Sequence, residues 1–399
     1  MTATTPGFVG TRLTQARKAR GLTAVTLSDL LGVTSTTISQ YEHGKQAPRP
    51  DLLVKLAATL NVPPAFFLTP ILPIEFERTT KWRSNTTATK FARDRAESRY
   101  EWLREIVDYF SGYFDMPALN IPTIKLPEDF REITHEMIDA AASECRNFWG
   151  LGSLPVPNLV LLLENNGVIV SRGKLNADGL DAFSEWLPQD YPYVFLGSDI
   201  NVCVRSRFDA SHELGHLILH RAVTKKQYGK PEDFKLLEKQ AHRFAAAFLL
   251  PKDQFFKELW APTLDAFASL KCRWKASIKG MIVHSHRYGL LSDTQYQRTM
   301  INYNRRWKNG EPLDDSLPVE SPRLLMRCAE MLVSEGIKSK EQIACDLPFS
   351  AHDIEELVGL PNGYLANKQA EVISLPTPQI KDRGTMRSDT VILPFNRFK

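Results

Sequence analysis

Cysteine is scarce in this chain and poorly placed for covalent or metal chemistry. The five residues, Cys145, Cys203, Cys272, Cys328 and Cys345, are odd in number and widely scattered, with no Cys-x-x-Cys pair. That argues against a disulfide framework and a thiolate metal site, and it suits a reducing cytosol. Long apolar runs are missing too: stretches such as Leu159–Leu163 fall far short of the roughly 18 residues a membrane span needs. The first 25 residues are polar and basic throughout and contain no apolar h-region of a signal peptide. A cytoplasmic protein without a membrane partner is expected. No glycine-rich phosphate loop, no serine or cysteine nucleophile motif and no internal repeat is present.

What is there is globular composition, 43% apolar and 24% charged over 399 residues, enough for two or three domains with real cores. The net charge of +4 is small but uneven. Residues 1–70 hold seven Lys/Arg against three Asp/Glu, so the whole excess lies in the first seventy residues. A module that meets a polyanion has this pattern, and so does a solvated basic face.

Helical spacing dominates the first seventy residues, in groups around Leu13, Leu27–Leu31, Ile38–Tyr41 and Leu52–Leu60, punctuated by Gly21 and Gly32. A charged helix is expected over 75–110, with Trp102, Ile106, Val107 and Phe110 on its apolar face. Further helices are expected at about 128–149, 159–163, 208–221, 232–250, across 262–308 and in 322–366. Strands are expected at 167–171, 183–186 and 193–196. Trp82, Trp102, Trp149 and Trp260 read as core or interface residues. The basic run 81–99 reads as a solvated face, with contact to DNA phosphates as the alternative.

Residues 23–42 fit two helices and a tight turn, with Leu27, Leu31, Val33 and Ile38 packing inward and Thr34 capping the second helix. That second helix exposes Ser35, Thr36, Thr37 and Gln40, short polar side chains suited to base edges in a major groove, and Lys45 follows for the backbone. On R-K-x-x-G-L-T, L-x-x-L-L-G-V, T-T-I-S-Q-Y-E-x-G-K and P-x-x-x-L-L-x-K-L-A, residues 8–69 resemble the lambda-repressor/Cro-like (XRE) helix-turn-helix family. The resemblance implies binding to a double-stranded DNA operator. One departure is Ala24, where that family usually has a DNA-holding Gln.

His212-Glu213-Leu214-Gly215-His216 is an H-E-x-x-H motif. On a helix the two imidazoles share a face and can reach one Zn2+, while Glu213 serves as general base. A third ligand is needed. His220 lies eight residues from His212, about 12 Å along a helix at ~1.5 Å per residue, which is too far to close one tetrahedral site. Metzincin spacing fails, since its third histidine would fall at Ala222. Glu238, on the next helix beside the buried face of Ala241, Phe244, Ala245 and Phe248, is the better candidate.

These two helices, R-S-R-F-D-A-S-H-E-L-G-H-L-I-L-H-R and E-x-x-A-x-x-F-A-A-x-x-L-L-P, resemble the ImmA/IrrE metallopeptidases. D-A-F-S-x-W at Asp181–Trp186 and R-W-K-A-S-I-K-G-M-I at Arg273–Ile282 extend the likeness. The resemblance implies zinc held by His212, His216 and Glu238, with Glu213 as general base. It further implies cleavage of a partner helix-turn-helix repressor that frees stress, mobile-element or toxin–antitoxin genes. His242 stands where that family usually has Asn. With His220 it is a residue expected behind the ligands, or a competing ligand itself.

The expected fold is mainly α with a small β-sheet (α+β). Its parts are an all-α helix-turn-helix domain at 8–70, a helical linker region at 71–127, a zincin-like metallopeptidase domain at 128–310, a C-terminal helical unit at 311–373 and an irregular tail at 374–399. A homodimer is expected. The competing reading is a transcription factor whose metallopeptidase-like domain is a non-catalytic sensor or partner-binding module. A third is an antitoxin-like DNA-binding partner.

Overall fold

A computed structural model describes residues 5–73, 81–84, 90–175, 180–187 and 190–366. The chain begins with α1 (Gly10–Ala19), α2 (Ala24–Leu31), α3 (Ser35–Glu42) and α4 (Pro50–Leu60). Thr23 and Thr34 start α2 and α3 by accepting the backbone N–H three residues on, at 2.9 and 3.2 Å. Between the two helices Gly32 takes φ 69°, the left-handed geometry that ends α2 and turns the chain. Leu13, Leu27, Ile38 and Leu56 are fully buried, so the apolar stripes of the four helices meet in one core.

Next come β1 (Lys81–Ser84) and α5 (Lys90–Ser111). The helix expected over 75–110 therefore holds only from Lys90. Residues 81–84 are instead a strand paired antiparallel with a partner some hundred residues later. Short basic segments carry little intrinsic preference, and backbone pairing at a sheet edge overrides it. Residues 74–80 and 85–89 lie outside the described residues, as does the expected tail at 374–399.

α6 (His135–Phe148) begins later than the expected 128, because the Thr134 hydroxyl caps it and 130–132 form a separate 3-10 turn. α7 (Leu159–Asn165) leads into β2 (Ile169–Gly173), β3 (Leu180–Trp186) and β4 (Pro192–Gly197). The sheet runs β1-β3-β4-β2. β2 lies parallel to β4, and the other pairs are antiparallel. Strand alternation divides the molecule. Ile169, Phe183 and Phe195 point to one side, and Val170, Ala182, Val194 and Leu196 to the other.

The second side is covered by α8 (Cys203–Leu219), followed by α9 (Lys225–Tyr228), α10 (Pro231–Leu249), α11 (Lys252–Glu258), α12 (Leu264–Trp274), α13 (Ile278–Arg287) and α14 (Asp293–Arg306). α15 (Leu324–Ser334), α16 (Lys340–Asp346) and α17 (Ala351–Val358) return to the first side. The fold is thus α+β, mostly helical with one small sheet. One core joins α1–α4, α5, the first sheet face and α15–α17; the other joins the opposite face to α6–α8 and α10–α13. Trp102 is buried in the first core and Trp149 packs partly buried on the second. Trp260, expected in a core or interface, is 74% exposed, because it sits past the end of α11 where helical periodicity no longer applies. The Trp82 side chain is outside the described residues. Among the described residues no helix is long and apolar enough to cross a membrane.

Arg12 ties the helix-turn-helix to α5. Its guanidinium is fully buried and donates to both Glu105 oxygens at 2.7 and 2.8 Å, and to the Thr69 and Pro70 carbonyls. Removing one partner would strand a charge in the core. Glu105→Leu is expected to lower unfolding stability by about 3–5 kcal/mol in urea, whereas Arg12→Met with Glu105→Leu regains most of that. Strictly additive losses would show that the pair is not a coupled unit.

Candidate metal centre and nucleic-acid interface

α8 is a core helix: every side chain from Cys203 to Leu219 is buried except Arg205 and Phe208. It is held between the sheet and α10. Gly215 permits the closeness, since a Cβ there would lie 3.3 Å from the Ala241 backbone and 3.2 Å from the Phe244 ring. At 3.6 residues per turn, His212 and His216 share the face toward α10. Glu238 stands on α10 one turn before His242, opposite that face.

The three side chains converge. His212 Nε2 and His216 Nε2 are 3.0 Å apart, and the Glu238 carboxylate lies 3.3 Å from the first and 3.2 Å from the second. Ligands ~2.0–2.1 Å from a tetrahedral ion are spaced by about 3.3 Å, so the donor set fits a divalent metal of the zinc type. Burial works against a charged Glu238. The His212 and His216 rings set against it outweigh that and hold the carboxyl far below the usual carboxylate range.

The neighbours decide which nitrogen carries a proton. Gln240 Nε2 donates to the Phe130 carbonyl at 2.7 Å, so its Oε1 faces His220 and accepts from His220 Nε2 at 2.9 Å. Neutral His220 then presents a bare Nδ1, 2.8 Å from His216 Nδ1, which must be the donor. His216 Nε2 is left with its lone pair toward His212 and Glu238. Two imidazole nitrogens and a carboxylate meeting at this distance need a proton or a cation between them. The Tyr228 hydroxyl also reaches His216 Nδ1, at 3.1 Å; burial first, then the charges of Glu238 and Glu213, push its phenol well above the ordinary value and keep it neutral.

Glu213 reaches the sheet, where Ser184 Oγ donates to its Oε2 at 2.6 Å. Strand alternation puts Ser184 on the α8 side with Ala182. His242 donates Nδ1–H to the Glu238 carbonyl at 2.6 Å, and its ring stands edge-on to His212 with centroids 4.5 Å apart. His212, Glu238 and His242 form a second triple, one donor atom each, all within 4.8 Å of one another. His242 also borders a cavity of about 910 Å3 that runs past Arg205, Phe208 and Asp209 to Tyr303 and Trp307. Sequence reasoning missed Ser184 and Gln240. The alternation of β3 was a usable signal for the first, but nothing local marks Gln240.

On α3, Ser35 and Thr36 are exposed at the first turn and Lys45 is exposed beyond the helix, while Gln40 is half-buried. The Thr37 hydroxyl is 2.8 Å from the Thr34 hydroxyl and belongs to the cap. Exposed Ser39, His43 and Arg49 lie in the same segment and were not among the expected contacts.

Residues 13–67 match the helix-turn-helix family and residues 163–279 match the IrrE N-terminal-like domain. An uncharacterized HTH-type transcriptional regulator, RghRB of Bacillus subtilis (strain 168), is 46% identical over 55 residues, 14% of this chain and 40% of that protein. The similarity thus spans less than half of that relative.

The relay from Gln240 through His220 generates one prediction. Gln240→Leu removes the acceptor that fixes the His220 proton, so zinc affinity is expected to fall about 10–100-fold in a chelator competition titration. Unchanged affinity in a folded variant would show that the relay does not orient His216.

Proposed function

We propose that this chain, a helix-turn-helix domain joined to an IrrE N-terminal-like domain, is a DNA-binding transcriptional regulator whose second domain is a zinc-dependent endopeptidase. The reading rests on one observation above all: His212, His216 and Glu238 converge at 3.0–3.3 Å, with both histidines on the helix that carries Glu213. Zinc held by these three would supply Lewis acidity toward a peptide carbonyl and make a nearby water acidic enough to attack at neutral pH. Glu213, on the same buried helix, takes a proton from the attacking water and returns it to the leaving amine. Ser184 holds the Glu213 carboxylate in one orientation by donating to Oε2. His220 and Gln240 keep the His216 proton on Nδ1, away from the ligand side.

The substrate is a partner repressor with its own helix-turn-helix, and its cleavage in the cytoplasm frees stress, mobile-element or toxin–antitoxin genes. Ser35, Thr36, Thr37 and Gln40 read the operator and Lys45 meets its backbone, which brings peptidase and repressor to one stretch of DNA. A homodimer suits a two-fold operator.

Burial favours a second reading. His212, Glu213 and His216 are 0% exposed, and among the described residues the wide cavity meets the site at His242. A largely buried donor set of this kind also suits a sensor in which metal occupancy, not hydrolysis, changes DNA binding.

Glu213→Gln separates the two. The variant is expected to lose about 10²–10⁴-fold in repressor cleavage with DNA binding unchanged, because it removes a base and not a contact to DNA. Cleavage that persists rules out the endopeptidase. Operator affinity is expected to fall with salt at a log–log slope near −0.9 per phosphate neutralised, and Gln40→Ala to weaken the operator more than random DNA. Equal weakening of both would place Gln40 on the backbone only.

A further inference from the structure

α14 packs against the second core by one face only. Tyr296, Met300, Tyr303 and, just past its end, Trp307 lie partly buried there, and none of its 14 residues is buried outright. At 3.6 residues per turn, Thr294, Gln297 with Arg298, Ile301, and Asn304 with Arg305 fall together on the opposite face, and all of them are exposed. That outward stripe holds no carboxylate. Its one large apolar side chain, Ile301, is 67% exposed and stands one turn from Arg298 and one turn from Arg305. Lys308, two residues beyond the helix, is exposed as well.

The carboxylates around this helix are engaged elsewhere. Asp265 takes Arg306 at 2.6 Å, on the flank of the stripe, and Asp293 takes His286 at 2.9 Å. Glu311 and Asp314 are turned in on the buried Lys271, at 2.8 and 2.5 Å. Arg305 reaches the Asn302 side-chain oxygen at 3.4 Å, a neutral acceptor. Asn304 and Lys308 also wall the cavity of about 910 Å3 that takes in His242, so the stripe runs into the space beside the metal centre. Cations spaced one turn to either side of an exposed apolar side chain complement a polypeptide with the inverse pattern. A DNA backbone would meet the cations alone and leave Ile301 without an apolar partner.

We infer that α14 is a docking surface for an acidic amphipathic helix of the protein substrate, one with a large apolar side chain and Asp or Glu one turn to either side. The apolar side chain covers Ile301, and the carboxylates meet Arg298 and Arg305. The segment that continues from the docked helix then passes Asn304 and Lys308 into the cavity that takes in His242. This rests on the reading of the second domain as a peptidase that acts on another protein, and it names the feature by which that protein is held.

Fluorescence anisotropy with the full chain carrying Glu213→Gln tests the assignment against three labelled peptides of about five helical turns. One has Leu with Glu one turn to either side, one has the same composition with that spacing scrambled, and one has every Glu replaced by Lys. The first is expected to bind, and the other two to bind more weakly. Arg298→Gln with Arg305→Gln alters exposed side chains and leaves folding intact; it is expected to weaken the first peptide about tenfold. Ile301→Asn is expected to weaken it too, while binding of a labelled random-sequence DNA duplex is unchanged in both variants. Equal binding of the three peptides, or binding indifferent to the arginine pair, overturns the docking surface. So does loss of duplex binding in place of peptide binding, or a change in the sedimentation of the chain alone, which would make the stripe a contact with DNA or with a second copy. Those results leave the metal centre untouched. Cleavage that persists in Glu213→Gln ends the endopeptidase reading instead, and peptide binding to α14 does not depend on it.

Discussion

The close approach of α8 and α10 is the constraint on which the candidate metal centre depends. Gly215 has no side chain and Ala241 has almost none, so the two backbones come near enough for Glu238 to reach both imidazoles of α8. A larger residue at either position would separate the helices by a fraction of an ångström or more, and the donor spacing of 3.0–3.3 Å would open with them. The sheet presses on α8 from the other side and sets Ser184 against Glu213. One buried helix thus sets its two imidazoles toward α10 and the Glu213 carboxylate against Ser184 of β3.

Electrostatics give this packing its meaning. Two imidazole nitrogens and a carboxylate brought to one point are unfavourable unless a positive charge, a proton or a metal ion, sits among them. The Gln240–His220–His216 chain of hydrogen bonds places the proton on the far side of the His216 ring, which leaves the near side for a cation. The same logic of buried charge binds the helix-turn-helix to the rest: Arg12 on Glu105, and Arg20 on Asp353 while also lying over the Trp102 ring. Basic residues of the first seventy therefore serve two purposes. Some face solvent beside α3, and some are spent inside the molecule.

Much of this was legible in the residues. The 3.6 period marked α2, α3, α8 and α10, and the threonine and glycine at the turn marked how α2 and α3 join. Glu238 followed from the small, apolar face of its helix. What was not legible depends on distant partners. The strand at 81–84 is decided by the edge of β3, not by its own composition. The first seventy residues share their core with α5, one face of the sheet and α15–α17, which no local pattern announces. Gln240 is an ordinary buried polar residue until the Phe130 carbonyl and His220 are placed around it. Trp260 misled because an apolar ring in a loop obeys no helical period.

The most direct test is X-ray absorption at the zinc edge of the metal-loaded full chain. The predicted spectrum is a shell of nitrogen and oxygen at ~2.0–2.1 Å, with the outer-shell scattering of two imidazoles that drops to one in His216→Ala. A sulfur shell at ~2.3 Å, or an imidazole signal unchanged by that substitution, would contradict the account.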